Sequence, residues 1–324
     1  MDIPLIDLAR WFDGSEQDRL ELAAEVDAAL SRLGFLVIVN HGIDQQIFAR
    51  ARQASLDFFH RPAEEKAPVA QTGDAYRGWI GPGLESNAAT FGVETPPDLK
   101  ETWAFGPVDP ASEHLRSVYP GPYAPNIWPD EPASLETASE EFWRACNSLA
   151  NELLELMATA LELPASTLVD DCRATTATGS FHWYWPHTHT AGSEGQFRIG
   201  PHTDFGTVTI LDREPGIGGL QVQNATGEWI DAPVVEGSLI VNTGDMLRQW
   251  TNDRWCSNEH RVLPPSADAP SEELVSLVFF HEPDTEALIA PLPTCVSADN
   301  PARHAPVTAN QYLAEKYGAL ALGD

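Results

Sequence analysis

A histidine and an aspartate one residue apart sit inside a strand-like run at residues 195–211, GQFRIGPHTDFGTVTIL. On an extended backbone alternate side chains share a face, so His202 and Asp204 can converge on one ion. That requirement constrains the fold, because a further ligand must reach the same side of a sheet. His260 is the best candidate, in TNDRWCSNEHRVLPP, where a polar turn gives way to a second apolar, strand-like run. Two imidazoles and one carboxylate on one side of an ion leave positions open on the other, which suits Fe(II) that must bind O2 and an organic ligand together. Taken alone, the pair is equally consistent with a histidine bonded to a turn carboxylate.

The rest of the chain supplies a scaffold for such a site. From about residue 175 to 289, short β-rich runs alternate with Gly, Asn, Asp and Pro turns, which predicts a double-stranded β-helix, or jelly roll, with the metal inside. Upstream, IPLIDL and GFLVIVN read as strands, and apolar spacing predicts helices over 14–30, 44–60 and 134–163. Residues 71–126 are rich in Gly, Pro and aromatics and predict irregular structure covering a cavity. As a group, Arg77, Trp79, Lys100 and Trp103 are candidates to line a substrate entrance there. The expected fold class is α+β, mainly β: a jelly-roll core with flanking helices and an N-terminal α/β region. The expected divisions are an N-terminal region 1–125, a supporting helix 126–174, the Fe(II) core 175–290, and a C-terminal segment and helix 291–324 over the barrel mouth.

Composition excludes some partners. A net charge of −29 argues against nucleic acid or anionic membrane, both of which need clustered Lys and Arg. It also means that an anionic ligand needs a local cation to hold it. No stretch is long and apolar enough to span a bilayer, and the charged N-terminus is unlike a secretory signal, so a cytoplasmic protein is expected. Cys146, Cys172, Cys256 and Cys295 form no CxxC pair and read as small buried apolar side chains.

Beyond the HxD pair, the phrases HTDFGTVTIL, GGLQVQN, GEWIDAP, GSLIVNTGDMLRQWTNDRW, NEHRVLPP and SLVFFHEPD follow in order. With IPLIDL, LGFLVIVNHGID, FFHRPAEEK, YRGWIGPGLES and DLKETWAFGP before them, nearly the whole chain resembles the isopenicillin N synthase-like branch of the 2-oxoglutarate and Fe(II)-dependent oxygenases. The resemblance implies iron held by His202, Asp204 and His260, with 2-oxoglutarate and O2 as co-substrates and a small molecule as substrate. It implies no catalytic group beyond the ligands, and a structural strand end at His41. It points to Tyr184 for a hydrogen bond to the cosubstrate carboxylate and makes His281, in FFHEPD, a supporting rather than a ligating residue. Trp183 and Trp185 flank Tyr184 and read equally as pocket or jelly-roll core. The HxH pair His187 and His189 has the spacing of another ligand pair, but its surroundings read as an exposed loop. The ten tryptophans hint at an apolar or aromatic substrate group.

One departure stands out. The distal carboxylate of 2-oxoglutarate is normally gripped by an Arg-x-Ser pair on the strand that here reads ELVSLVFF; Ser276 is present, but Leu274 stands in the arginine's place. A leucine cannot make the forked, charge-assisted bond that an arginine makes with a carboxylate. Arg198, Arg248 and Arg261 are candidate replacements. Otherwise the chain uses another keto acid or none, or has become a non-catalytic binder of small molecules.

Overall fold

The computed structural model describes residues 2–73, 75–93, 95–186, 195–266 and 268–320. Twelve strands build two sheets. They are β1 (Leu5–Asp7), β2 (Phe35–Val39), β3 (Gly78–Ile80), β4 (Glu101–Phe105), β5 (Thr178–Tyr184), β6 (Ile199–His202), β7 (Val208–Asp212), β8 (Gly219–Gln223), β9 (Trp229–Asp231), β10 (Leu239–Thr243), β11 (His260–Leu263) and β12 (Leu274–Phe280). The larger sheet runs β1-β2-β10-β7-β12-β5-β4-β3 and the smaller β6-β11-β8-β9. Phe35, Val37 and Ile240 of the first share a buried cluster with Leu220 and Val222 of the second. The two sheets are the halves of a jelly roll that does not close into a barrel.

The outer face of the larger sheet is covered by helices. The helix Ser134–Ala160 buries Phe142, Cys146, Leu149, Leu153 and Met157, an apolar stripe at helical spacing. Its Phe142 ring meets Phe181 of β5 edge-on at 5.2 Å and Phe279 of β12 at 6.5 Å. Each such buried aromatic contributes about 1.5–3 kcal/mol by area, so this helix anchors the strands that carry the site. A Ser15–Asp18 capping box starts the helix Glu16–Arg32, and Asp44 caps Gln45–Phe59 through its bond to the Gln46 amide.

The stretch expected to be irregular contains β3 and β4. All five side chains of β4 are buried, and its ladder with β5 sets Thr102 opposite His182. A strand buried on both faces lacks the polar alternation that would reveal it, and here Gly and Pro segments flank it. Because β1 to β4 lie in the same sheet as β5, β7, β10 and β12, one hydrogen-bonded ladder crosses the division placed at residue 125.

All four cysteines are free thiols. Among the described residues no helix is long and apolar enough to cross a membrane. The C-terminal helix Ala309–Leu320 returns to the core, where Tyr312 donates to Asp245 Oδ2 at 2.8 Å and Lys316 lies 3.2 Å from the same oxygen.

Candidate metal centre

Register brings the two histidines together. β6 and β11 are antiparallel neighbours with His260 directly opposite His202, and the ring centroids lie 4.2 Å apart. Asp204 follows β6 by two residues. Its Oδ1 lies 3.7 Å from Nε2 of His202 and 3.7 Å from Nε2 of His260. Among the described residues these three form a buried cluster whose ligand atoms all lie within 4.8 Å of one another.

The surrounding bonds leave the right atoms available. Nδ1 of His202 donates to the Gly200 carbonyl at 2.8 Å, and Nδ1 of His260 faces the Asn258 carbonyl at 3.3 Å, so each ring turns its Nε2 inward. Oδ2 of Asp204 accepts from Thr209 Oγ1 and from Asn242 Nδ2 at 2.7 Å, leaving Oδ1 for a metal. Burial, and then the neighbouring His260, push His202 down to about 4, which keeps it a neutral ligand. Burial pushes the Asp204 carboxyl up, but the two imidazoles, Asn242 and Thr209 outweigh it and hold the group below the usual carboxylate range. Two imidazole nitrogens and one carboxylate oxygen on one side of a cavity fit an Fe(II) ion with open positions.

That cavity lies between the sheets. Tyr184 and Arg198 line it with Ser276 and Leu274, and so do His182 and Arg213, which the sequence did not single out. Arg198 makes a buried ion pair with Glu272 at 2.8 Å while its guanidinium lies 5.1 Å from the centre of the Tyr184 ring. Burial pushes the Tyr184 hydroxyl well up, so it stays a proton donor. His182 Nε2 pairs with Ser180 Oγ at 2.9 Å, and its buried Nδ1 has no partner among the described residues. Burial, then Lys100 and His202, hold His182 well below the usual range.

The structure places the other candidates elsewhere. Arg77 is buried in the loop, donating to the carbonyls of Tyr76 and Pro122 at 2.8 and 2.9 Å. Trp79 donates to Glu101 at 2.7 Å and packs on Lys66. Lys100 is buried against Glu85 and Thr102, and Trp103 lies in the core. Trp183 faces away from Tyr184, stacked on Phe59, with Trp185 beside it. Among the described residues no tryptophan lines the cavity; Trp103, Trp143, Trp250 and Trp255 are buried in the core and Trp229 packs on Arg261. Arg261 stacks 4.0 Å from the centre of the Trp229 ring, and Arg248 faces Asp253, so neither reaches in. His281 is buried against Thr207, and His41 accepts from the Ile43 amide at its strand end. His187 and His189 lie outside the described residues.

A triad of this kind inside a jelly roll defines a mononuclear non-haem iron centre. Residues 3–131 match the family of the N-terminal region of a non-haem dioxygenase in morphine synthesis, and residues 175–283 match the 2OG-Fe(II) oxygenase superfamily. The chain is 39% identical to validamycin A dioxygenase of Streptomyces hygroscopicus subsp. limoneus over 90% of this chain and 79% of that one. It is 30% identical to a proline hydroxylase of Petromyces alliaceus over 96% and 97% of the two chains. A full-length Neurospora crassa protein solved with alpha-KG and thymine superposes with a TM-score of 0.84 at 27% identity, covering 98% of this chain and 96% of that one. The chain belongs to the 2-oxoglutarate and Fe(II)-dependent oxygenase superfamily, in its isopenicillin N synthase-like branch, and is an oxidoreductase of that class.

Proposed function

We propose that the protein couples the oxidative decarboxylation of 2-oxoglutarate to the hydroxylation, desaturation or cyclisation of a small metabolite. The observation that carries this is the convergence of His202 Nε2, Asp204 Oδ1 and His260 Nε2 on one side of the cavity, with Asp204 Oδ2 already taken by Thr209 and Asn242. Bound there, Fe(II) supplies the O2-dependent redox chemistry while the triad leaves its other positions open. The chain's own residues bind and orient. Tyr184 and Ser276 offer hydroxyls to a carboxylate, and Phe35, Leu220 and Val262 present apolar walls that keep water from the reacting centre.

Validamycin A dioxygenase and the thymine-bound Neurospora structure carry small molecules in their names. With a net charge of −29, a small molecule rather than nucleic acid or a membrane surface is the partner that fits this chain. Its free thiols suit a reducing cytoplasm in which Fe(II) persists.

The test is anaerobic reconstitution with Fe(II) followed by 2-oxoglutarate. The expected result is a weak visible metal-to-ligand band, and succinate on admission of O2 with substrate. Leu274 favours a second reading, a keto-acid-independent oxidase. For that reading the band is absent and oxygen uptake needs substrate alone.

A further inference from the structure

Leu274 removes the usual cation, but an arginine stands one strand away. β12 and β7 are antiparallel, with Leu277 opposite Asp212 and Val278 opposite Leu211. One step further, the same register sets Arg213 opposite Ser276 and diagonal to Leu274. Directly opposed Cβ atoms lie about 4.5–5.5 Å apart and diagonal neighbours about 7–8 Å, within reach of a long side chain. Leu211 and Arg213 of this edge line the cavity together with Leu274, Ser276 and Val278. Thr209, which bonds Asp204, is four residues before Arg213, about 13 Å of strand. A dicarboxylate held beside the triad would have β7 and β12 between it and the guanidinium.

Among the described residues the charge on Arg213 has no direct counter-ion. One nitrogen, Nη2, donates to the Ala232 carbonyl at 3.0 Å, and Nε is buried without a partner. Its sequence neighbours Asp212 and Glu214 are both turned to Arg52, at 3.2 and 3.3 Å. Asp231 acts on it only at longer range and bonds Gln221 at 2.9 Å. Among the described residues Arg213 makes no ion pair, in a chain with 48 acidic and 19 basic residues. The other cavity arginine, Arg198, already holds Glu272. Arg213 is half-buried, and holding a guanidinium partly out of water without an anion is costly; beside it stand two neutral donors, the hydroxyls of Ser276 and Tyr184, which are themselves neighbours.

We propose that Arg213, with Ser276 and Tyr184 beside it, holds the distal carboxylate of the keto acid, the cation having moved from β12 to the adjoining edge of β7. Leu274 is then an apolar wall of the same subsite. This assignment rests on the keto-acid reading above and names the residue that gives it selectivity for a dicarboxylate.

The test is equilibrium binding without turnover, on anaerobic Mn(II)-loaded protein, comparing 2-oxoglutarate with 2-oxobutyrate, which lacks the distal carboxylate. Wild-type protein is expected to prefer 2-oxoglutarate. Arg213→Met is expected to lose about 100-fold in 2-oxoglutarate affinity with 2-oxobutyrate changed by less than about threefold, a forked charge-assisted bond being lost. Arg213→Lys is expected to fall between the two, and the ratio of the two affinities in that variant is independent of the fraction folded. Unchanged preference in both variants overturns the assignment and leaves the oxygenase reading intact. Wild-type protein that binds neither keto acid overturns both.

Discussion

Thr209 donates its hydroxyl to Asp204 Oδ2 at 2.5 Å, a bond from a strand of the larger sheet to the carboxylate that follows the edge strand of the smaller one. Asn242, from β10, donates to the same oxygen at 2.7 Å. The metal-facing oxygen is thus chosen by two donors on a different sheet, and the distance between the sheets is set where the site needs it. Thr209→Val keeps the volume and removes one donor. It is expected to weaken Fe(II) binding about 10-fold, and Thr209→Val with Asn242→Leu by about 100-fold. Anaerobic metal competition reads the affinity, and unchanged affinity in the double variant contradicts this role.

Acid sensitivity follows from a histidine away from the site. His281 is fully buried, its Nδ1 pairs with the Thr207 hydroxyl at 2.8 Å, and burial pushes it down to about 3. The folded group stays neutral while the unfolded one takes up a proton below about 6.5. Its stability contribution is therefore complete above that pH and is lost as pH falls toward about 3, at about 1.4 kcal/mol per pH unit. Denaturant midpoints at pH 7 and pH 5 are expected to differ less in His281→Gln than in wild type. An identical pH dependence in the two proteins contradicts the assignment.

A buried ion pair fixes the entry of β4. Lys66 Nζ lies 2.6 Å from Glu101 Oε2 and donates to the Phe59 carbonyl at 2.9 Å, while Trp79 donates to the same carboxylate oxygen. Glu101→Gln leaves a desolvated ammonium without its counter-charge and is expected to cost about 3–5 kcal/mol. Removing both charges together, Lys66→Met with Glu101→Gln, is expected to cost less than Glu101→Gln alone. Chemical unfolding of the three proteins measures the difference, and a double variant no more stable than the single one contradicts it.

What the sequence made legible was local. His202 and Asp204 declared themselves because their spacing is that of one face of an extended chain, and the helix Ser134–Ala160 because its apolar stripe is long and uninterrupted. His260 was suggested by its place where a polar turn gives way to an apolar run, and the family resemblance strengthened it, but only the β6–β11 register makes it the partner of His202. Strand β4 was hidden by its complete burial and by the Gly and Pro around it. Trp79 and Lys100 drew attention by residue type, yet both are satisfied by carboxylates, Glu101 and Glu85, whose pairing belongs to tertiary structure. Arg213 left no trace in the sequence for the same reason: what sets it apart is the strand beside it and the absence, among the described residues, of an acid paired with it.

The most direct measurement is iron content and oxygen uptake in wild-type protein and Asp204→Ala after anaerobic loading with Fe(II) and 2-oxoglutarate. The expected result is about one Fe(II) per chain with the charge-transfer band in wild type, and loss of the ion, the band and oxygen uptake in the variant. Undiminished iron binding and oxygen uptake in Asp204→Ala would contradict a single centre held by His202, Asp204 and His260.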